Sequence, residues 1–223
     1  MALVDTLLTL SKFFQLVSAL VVIGLLLAFS FLLPDDNGKL RKNQLYLRKI
    51  GSAAAIAWTV FSGTLILVSL ANVLGTSIAQ VIDPTMLRSY TTQVVLGQSQ
   101  LFEFIAAVII AIFFSRVTKS SHSAILLLAA ITAFIAPVFQ SHSAEAGSHA
   151  LAVGSLVIHV IAISLWAGGL IAVGLIEESD RQIAVIRFSK LALWAAIAVT
   201  ASGAISAWVR LNFESAIGTI YFN

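Results

Sequence analysis

Residues 150–176 read ALAVGSLVIHVIAISLWAGGLIAVGLI, twenty-seven consecutive positions without a formal charge and with one histidine, His159, near the centre. A helix needs about 20 apolar residues, at about 1.5 Å each, to cross a hydrocarbon layer of about 30 Å. This stretch exceeds that length, so it fixes the chain as one that crosses a bilayer. The same reading extends outward to five more spans, approximately Phe13–Leu33, Ile50–Leu74, Leu101–Phe114, Ala124–Gln140 and Leu191–Val209. The expected fold is all-α, a polytopic transmembrane helix bundle of six full spans. A closing Ile220-Tyr221-Phe222-Asn223 reads as the start of a seventh after a polar connection, Leu211–Thr219.

Composition agrees with the span count. Apolar residues make up 59% of the 223, charged residues 10%, and the mean hydropathy is +1.00, against about 25% charged in an ordinary soluble domain. The net charge of +3 implies no nucleic-acid partner, because the basic residues fall in short connections between spans, where they set orientation. One set of connections carries Lys39, Arg41, Lys42, Arg48, Lys49, Arg116, Lys119, Arg181, Arg187 and Lys190, and the other carries Lys12, Arg88 and Arg210. Positive charge favours the cytoplasmic side. The expected topology is therefore a multi-pass protein of the inner (cytoplasmic) membrane, with the amino terminus and the His142–His149 loop outside. The first span is too long in its apolar part, and lacks the basic n-region, for a cleavable leader.

With no cysteine in the chain, disulfides and thiolate sites are excluded. The longer polar insertions, Pro34–Lys49 and Gly75–Gln100, read as loops, with Asp83-Pro84 as a turn signal. No phosphate-binding loop, nucleophile elbow or His-Glu-x-x-His pattern occurs, so the chain reads as non-enzymatic.

The residues that carry chemistry are few. His159 lies nine positions into its span, about 13 Å deep, where an ionisable ring is costly and points to function. The competing structural reading has a neutral imidazole bonded to Ser155, one turn back, or to a neighbouring helix, as bundle glue worth on the order of 1 kcal/mol. His142 and His149 flank Glu145 in the outer loop. Imidazoles and a carboxylate suit copper, although a His-x6-His spacing alone is not diagnostic. Along one helix His149 and His159 stand about 15 Å apart, which suits a relay better than one cage. Glu103, between Phe102 and Phe104 near the outer end of the third span, reads either as a further metal position facing a vestibule, with Arg210 as a partner, or as a carboxylate favoured by the helix dipole. Trp58 and Trp194 read as interface-belt residues near the cytoplasmic ends of their spans. Gly51-Ser52-Ala53-Ala54-Ala55, Gly168-Gly169 and Ser202-Gly203-Ala204 read as close-packing sites. His122 reads as solvated.

The strings Ser141-His142-Ser143-Ala144, His149-Ala150-Leu151-Ala152, Leu156-Val157-Ile158-His159 and Leu165-Trp166-Ala167-Gly168-Gly169-Leu170 resemble the signature region of the copper resistance protein D (CopD) family. Arg187-Phe188-Ser189-Lys190-Leu191-Ala192 and Ser202-Gly203-Ala204-Ile205-Ser206-Ala207-Trp208-Val209-Arg210-Leu211 continue the likeness. The second of these is similar to actinobacterial proteins in which such a domain precedes a CtaG-like cytochrome c oxidase assembly domain. The resemblance implies a single membrane domain over 1–223, truncated at its carboxyl end, that moves or manages copper. The expected metal positions are His142, His149, His159, Glu103 and Glu145. Expected partners are the copper ion, the lipid bilayer, and an extracytoplasmic copper carrier or an oxidase assembly partner. Two alternatives stay open: a cytochrome-like protein in which His159 is an axial ligand of haem b, and a non-transporting assembly subunit of a respiratory oxidase.

Overall fold

A computed structural model describes the backbone of residues 2–41, 44–139 and 149–221, and the side chains of 3–41, 44–138 and 153–208. Its helices are α1 (Ala2–Leu27), α2 (Leu45–Leu74), α3 (Pro84–Gln93), α4 (Val95–Phe114), α5 (Ser120–Ile135), α6 (His149–Leu175) and α7 (Glu178–Tyr221). Among the described residues six segments are long and apolar enough to cross a membrane: Leu3–Leu32, Leu45–Leu74, Val95–Phe114, Ser120–Val138, Val153–Leu175 and Glu178–Trp208. These are the six spans anticipated from hydropathy, most of them with earlier starts.

Three local readings need correction. Asp83-Pro84 begins a helix. The Asp83 carboxylate accepts from the backbone N–H of Thr85 (2.7 Å) and Met86 (3.1 Å), and Pro84 takes the first helical position, where its missing N–H costs nothing. Those two bonds hold the Asp83 carboxyl below the usual carboxylate range. The resulting α3 lies against α4, so Gly75–Gln100 is no simple loop. Gly97 makes the fit possible, because a Cβ there would strike the Tyr90 carbonyl. The third change is at Leu211–Thr219, which continues α7 as helix through Tyr221. Polarity alone does not end a helix, and this stretch contains no proline.

α1 is the centre of the bundle. It packs along α2 and α6, and its lower part meets α5. Val22, Ile23, Leu25, Leu26 and Phe29 are buried there with Leu47, Ala55, Ile110, Phe114 and Ala172. Gly24 and Gly168 bring α1 and α6 into backbone contact: a Cβ on Gly24 would overlap the Gly168 carbonyl, and one on Gly168 would lie 2.8 Å from the Leu20 oxygen. Helices in lipid gain little from hydrophobic exclusion of each other, so this approach, with its dispersion contacts, is what holds the seam. The expectation for Gly168 is met. Gly51 likewise faces the Phe114 ring, whereas Gly203 faces open space among the described residues.

At the end of α1 the chain widens into a π turn, Ala28–Leu32. Its last carbonyls are taken by Arg187 from α7, whose Nη1 donates to Leu33 O at 2.9 Å, with Leu32 O at 3.4 Å and Phe31 O at 3.5 Å. On the same side Gln44 is buried and donates to Pro34 O (3.0 Å) and to the Asp180 carboxylate (3.3 Å), and Arg41 lies 3.8 Å from Asp180. The first connection is thereby stitched to the first turn of α7.

Candidate functional site

Two polar sites lie within the spans, at different helix interfaces. The first is built on Glu103. α4 starts at Val95, six residues before the start anticipated from hydropathy, which carries Glu103 about 12 Å into the bundle. The side chain is 3% exposed. Its Oε1 receives Gln15 Nε2 from α1 at 2.6 Å and Trp58 Nε1 from α2 at 2.9 Å. Three helices therefore close around one carboxyl oxygen, and the vestibule-facing reading of Glu103 is corrected. Trp58 is corrected with it. Its indole is fully buried, because the ring supplies both bulk and the N–H that the carboxyl requires.

One turn toward the α3 side, Gln100 continues the α2–α4 seam. Its Nε2 donates to Ser69 Oγ (2.9 Å), and its Oε1 accepts from the Tyr90 hydroxyl (3.0 Å). Burial pushes the Tyr90 phenol above its ordinary value, partly offset by Ser69. Between the two layers Ser62 is buried and its hydroxyl has no partner among the described residues.

The second site joins α6 to α7. His159 Nδ1 lies 3.2 Å from Ser202 Oγ, and one turn away Ser155 Oγ lies 2.9 Å from Ser206 Oγ. Both pairs match positions four apart on antiparallel neighbours, so a two-rung ladder forms. The Ser202 hydroxyl spends its single hydrogen on the backbone, at 2.6 Å to Ala198 O and 3.1 Å to Val199 O. That arrangement favours the tautomer with the ring proton on Nδ1, donated to Ser202, and Nε2 has no partner among the described residues. The ring is partly exposed, unlike Glu103.

Of the five anticipated metal positions only Glu103 and His159 have described side chains, and these two lie at different helix interfaces. His142 and Glu145 lie outside the described residues. His149 opens α6, and its side chain lies outside the described set. No three His, Asp or Glu side chains cluster among the described residues. Arg210, expected beside Glu103, has a helical backbone but no described side chain. Gln15 was missed by sequence reasoning, as a lone amide in an apolar span. The signal that could have found it is the cost of burying Glu103 and Gln15 unpaired, which makes each the natural partner of the other.

The sequence profile of the copper resistance protein D-like N-terminal domain matches residues 3–151. The chain belongs to this family. The match covers α1 to α5 and reaches only the start of α6, so the Glu103 site lies inside the copper resistance protein D-like region and the His159 ladder lies beyond its end. Of the motif strings that carried the likeness, Ser141-His142-Ser143-Ala144 lies wholly inside the match and most of the others lie beyond it. No curated protein and no solved structure matches the chain.

Proposed function

We propose that this copper resistance protein D-like chain handles copper at the cell membrane, capturing the ion on the external side through His142 and His149, assisted by Glu145, and holding it next at His159. The observation that carries the reading is the His159–Ser202 bond, which orients the ring and leaves Nε2 as a nitrogen donor inside the span. Membership of a copper resistance protein D-like family supports copper as the metal. With no cysteine and two methionines, Met1 and Met86, nitrogen donors are what the chain has to offer. That favours Cu(II) or two-coordinate Cu(I).

Glu103 has a lesser part in this proposal. Its Oε1 is already taken by Trp58 and Gln15, which favours a packing role over an ion stop. In the finer form of the proposal the domain faces outward with its amino terminus external, and a cytochrome c oxidase assembly partner receives the ion. The bias of Lys and Arg between alternate connections supports that orientation.

Metal analysis of the purified, copper-loaded protein tests the reading. Near-stoichiometric copper is expected in the wild type, with a marked loss in His159→Ala that still inserts. The pair His142→Ala with His149→Ala is expected to weaken capture at low copper more than at saturating copper. Unchanged retention in inserted His159→Ala sinks the role of that residue. A Soret band without added metal would instead favour haem.

A further inference from the structure

The hairpin of α4 and α5 holds a groove of about 570 Å³, a size typical of ligand pockets. Its body is apolar and belongs to the two spans, with Ile109 and Phe113 on one wall and Ile125 and Ala129 on the other. Its polar lining is confined to one end, where Arg116 leaves α4 and His122 stands in the first turn of α5. The Arg116 guanidinium lies over the Phe113 ring, 5.8 Å from its centroid, so it is held at the mouth.

Three independent features at that mouth select an anion. Arg116 and His122 both present N–H donors. The α5 N-cap, Lys119, makes no side-chain capping bond, and the backbone N–H groups of Ser121 and His122 have no partner among the described residues, so the positive end of the helix is open there. Residues 105–139 contain no Asp or Glu. The nearest acidic contact is Asp35, which accepts from Ser120 at 3.1 Å. Ser120 is two positions from His122 and so on the opposite side of α5. Below the mouth the wall from His122 to Ala129 runs about 10 Å down the span, with nothing but hydrocarbon to meet a ligand.

We infer that this groove is a binding site for an anionic phospholipid, the phosphate seated between Arg116, His122 and the first-turn amides of α5 and an acyl chain lying along Phe113, Ile125 and Ala129. A free inorganic anion would satisfy the mouth and leave the groove empty. A zwitterionic lipid would fill the groove but bring a cation to a basic mouth. The site uses none of the residues assigned to copper.

The full-length protein is reconstituted in vesicles of equal phosphatidylglycerol and phosphatidylcholine, extracted into detergent, and its retained lipid measured by mass spectrometry. Wild type is expected to keep phosphatidylglycerol over phosphatidylcholine by about fivefold or more, from the attraction of each basic group for an anionic headgroup. Arg116→Ala with His122→Ala should erase the preference. Lys190→Ala, which removes an exposed charge from α7, should not. Ala129→Phe fills the groove without touching the charges and should cut retained phosphatidylglycerol. Equal retention of the two lipids by wild type, or an undiminished preference in the Arg116/His122 variant, overturns the site. Displacement of the lipid by inorganic phosphate alone also overturns it, by reducing the site to an anion pocket. Circular dichroism of each variant separates loss of lipid from loss of fold, and the readout is independent of copper.

Discussion

Glu103 and His159 are both ionisable groups set within spans, and the bundle treats them in opposite ways. Around Glu103 the packing is closed: the residue is buried, and its carboxyl is tied to two other helices. Around His159 it is looser: the residue is partly exposed, and among the described residues its ring is tied to one hydroxyl of one neighbour. Burial with every donor aimed at one atom makes a rigid polar joint. A partly exposed ring with one nitrogen anchored and the other without a partner among the described residues is where a ligand can arrive. The comparison separates what holds the bundle from what serves the ion, which depth in the membrane alone does not.

The largest effect is expected at the seam joining the two regions. Gly24→Leu forces a side chain into the Gly168 backbone, so it should cost about 3 kcal/mol or more and yield little monodisperse protein. Gly203→Leu, which meets open space, should stay within about 0.5 kcal/mol of wild type in the same thermal-unfolding assay. Equal tolerance of both would show that the halves do not meet where α1 crosses α6.

Next comes the joint itself. Glu103→Ala leaves a cavity and orphans the Trp58 and Gln15 donors, for a loss of about 2–4 kcal/mol. Copper bound per folded molecule should not change. Trp58→Phe keeps the ring bulk and removes one N–H, and the midpoint shift should correspond to about 1–3 kcal/mol. His159→Ala should give the reverse pattern: a stability change on the order of 1 kcal/mol and a pronounced loss of retained copper. If His159→Ala unfolds the protein as readily as Glu103→Ala and leaves copper binding alone, the contrast between the sites fails. The smallest effect is expected from Ser206→Ala, about 0.6 kcal/mol or less, since it deletes one rung between two hydroxyls.

The number and order of spans were legible in the sequence because hydropathy reports depth, and depth is what a run of about 20 apolar residues encodes. Azimuth is not encoded that way. Trp58 was read as an interface residue although it points into the core, since nothing in its own span identifies the helix it faces. The start of α4 moved because Val94, Val95 and Leu96 are separated from the main run by Gly97, Gln98, Ser99 and Gln100, whose polarity is absorbed by partners on α2 and α3. α3 escaped notice because its cap and the docking of Tyr90 hold it, and neither leaves a hydropathy signal. For the histidine site, the ring and its depth in the span were readable, but Ser202, forty-three residues on, becomes a neighbour only through the antiparallel return of α7.

The wide turn at Ala28–Leu32 sets how the first span hands the chain to its first connection. A π turn carries one residue more than the α-helical turn it replaces, so the facing pattern of α1 advances by about 100° across it. α1 before it packs chiefly on α2 and α6, and the turn itself packs on α5 and α7. Arg187 fastens onto the carbonyls that this extra residue turns outward. Wide turn and arginine thus act as one clasp: removing one residue from the turn should also free Arg187 from its carbonyls.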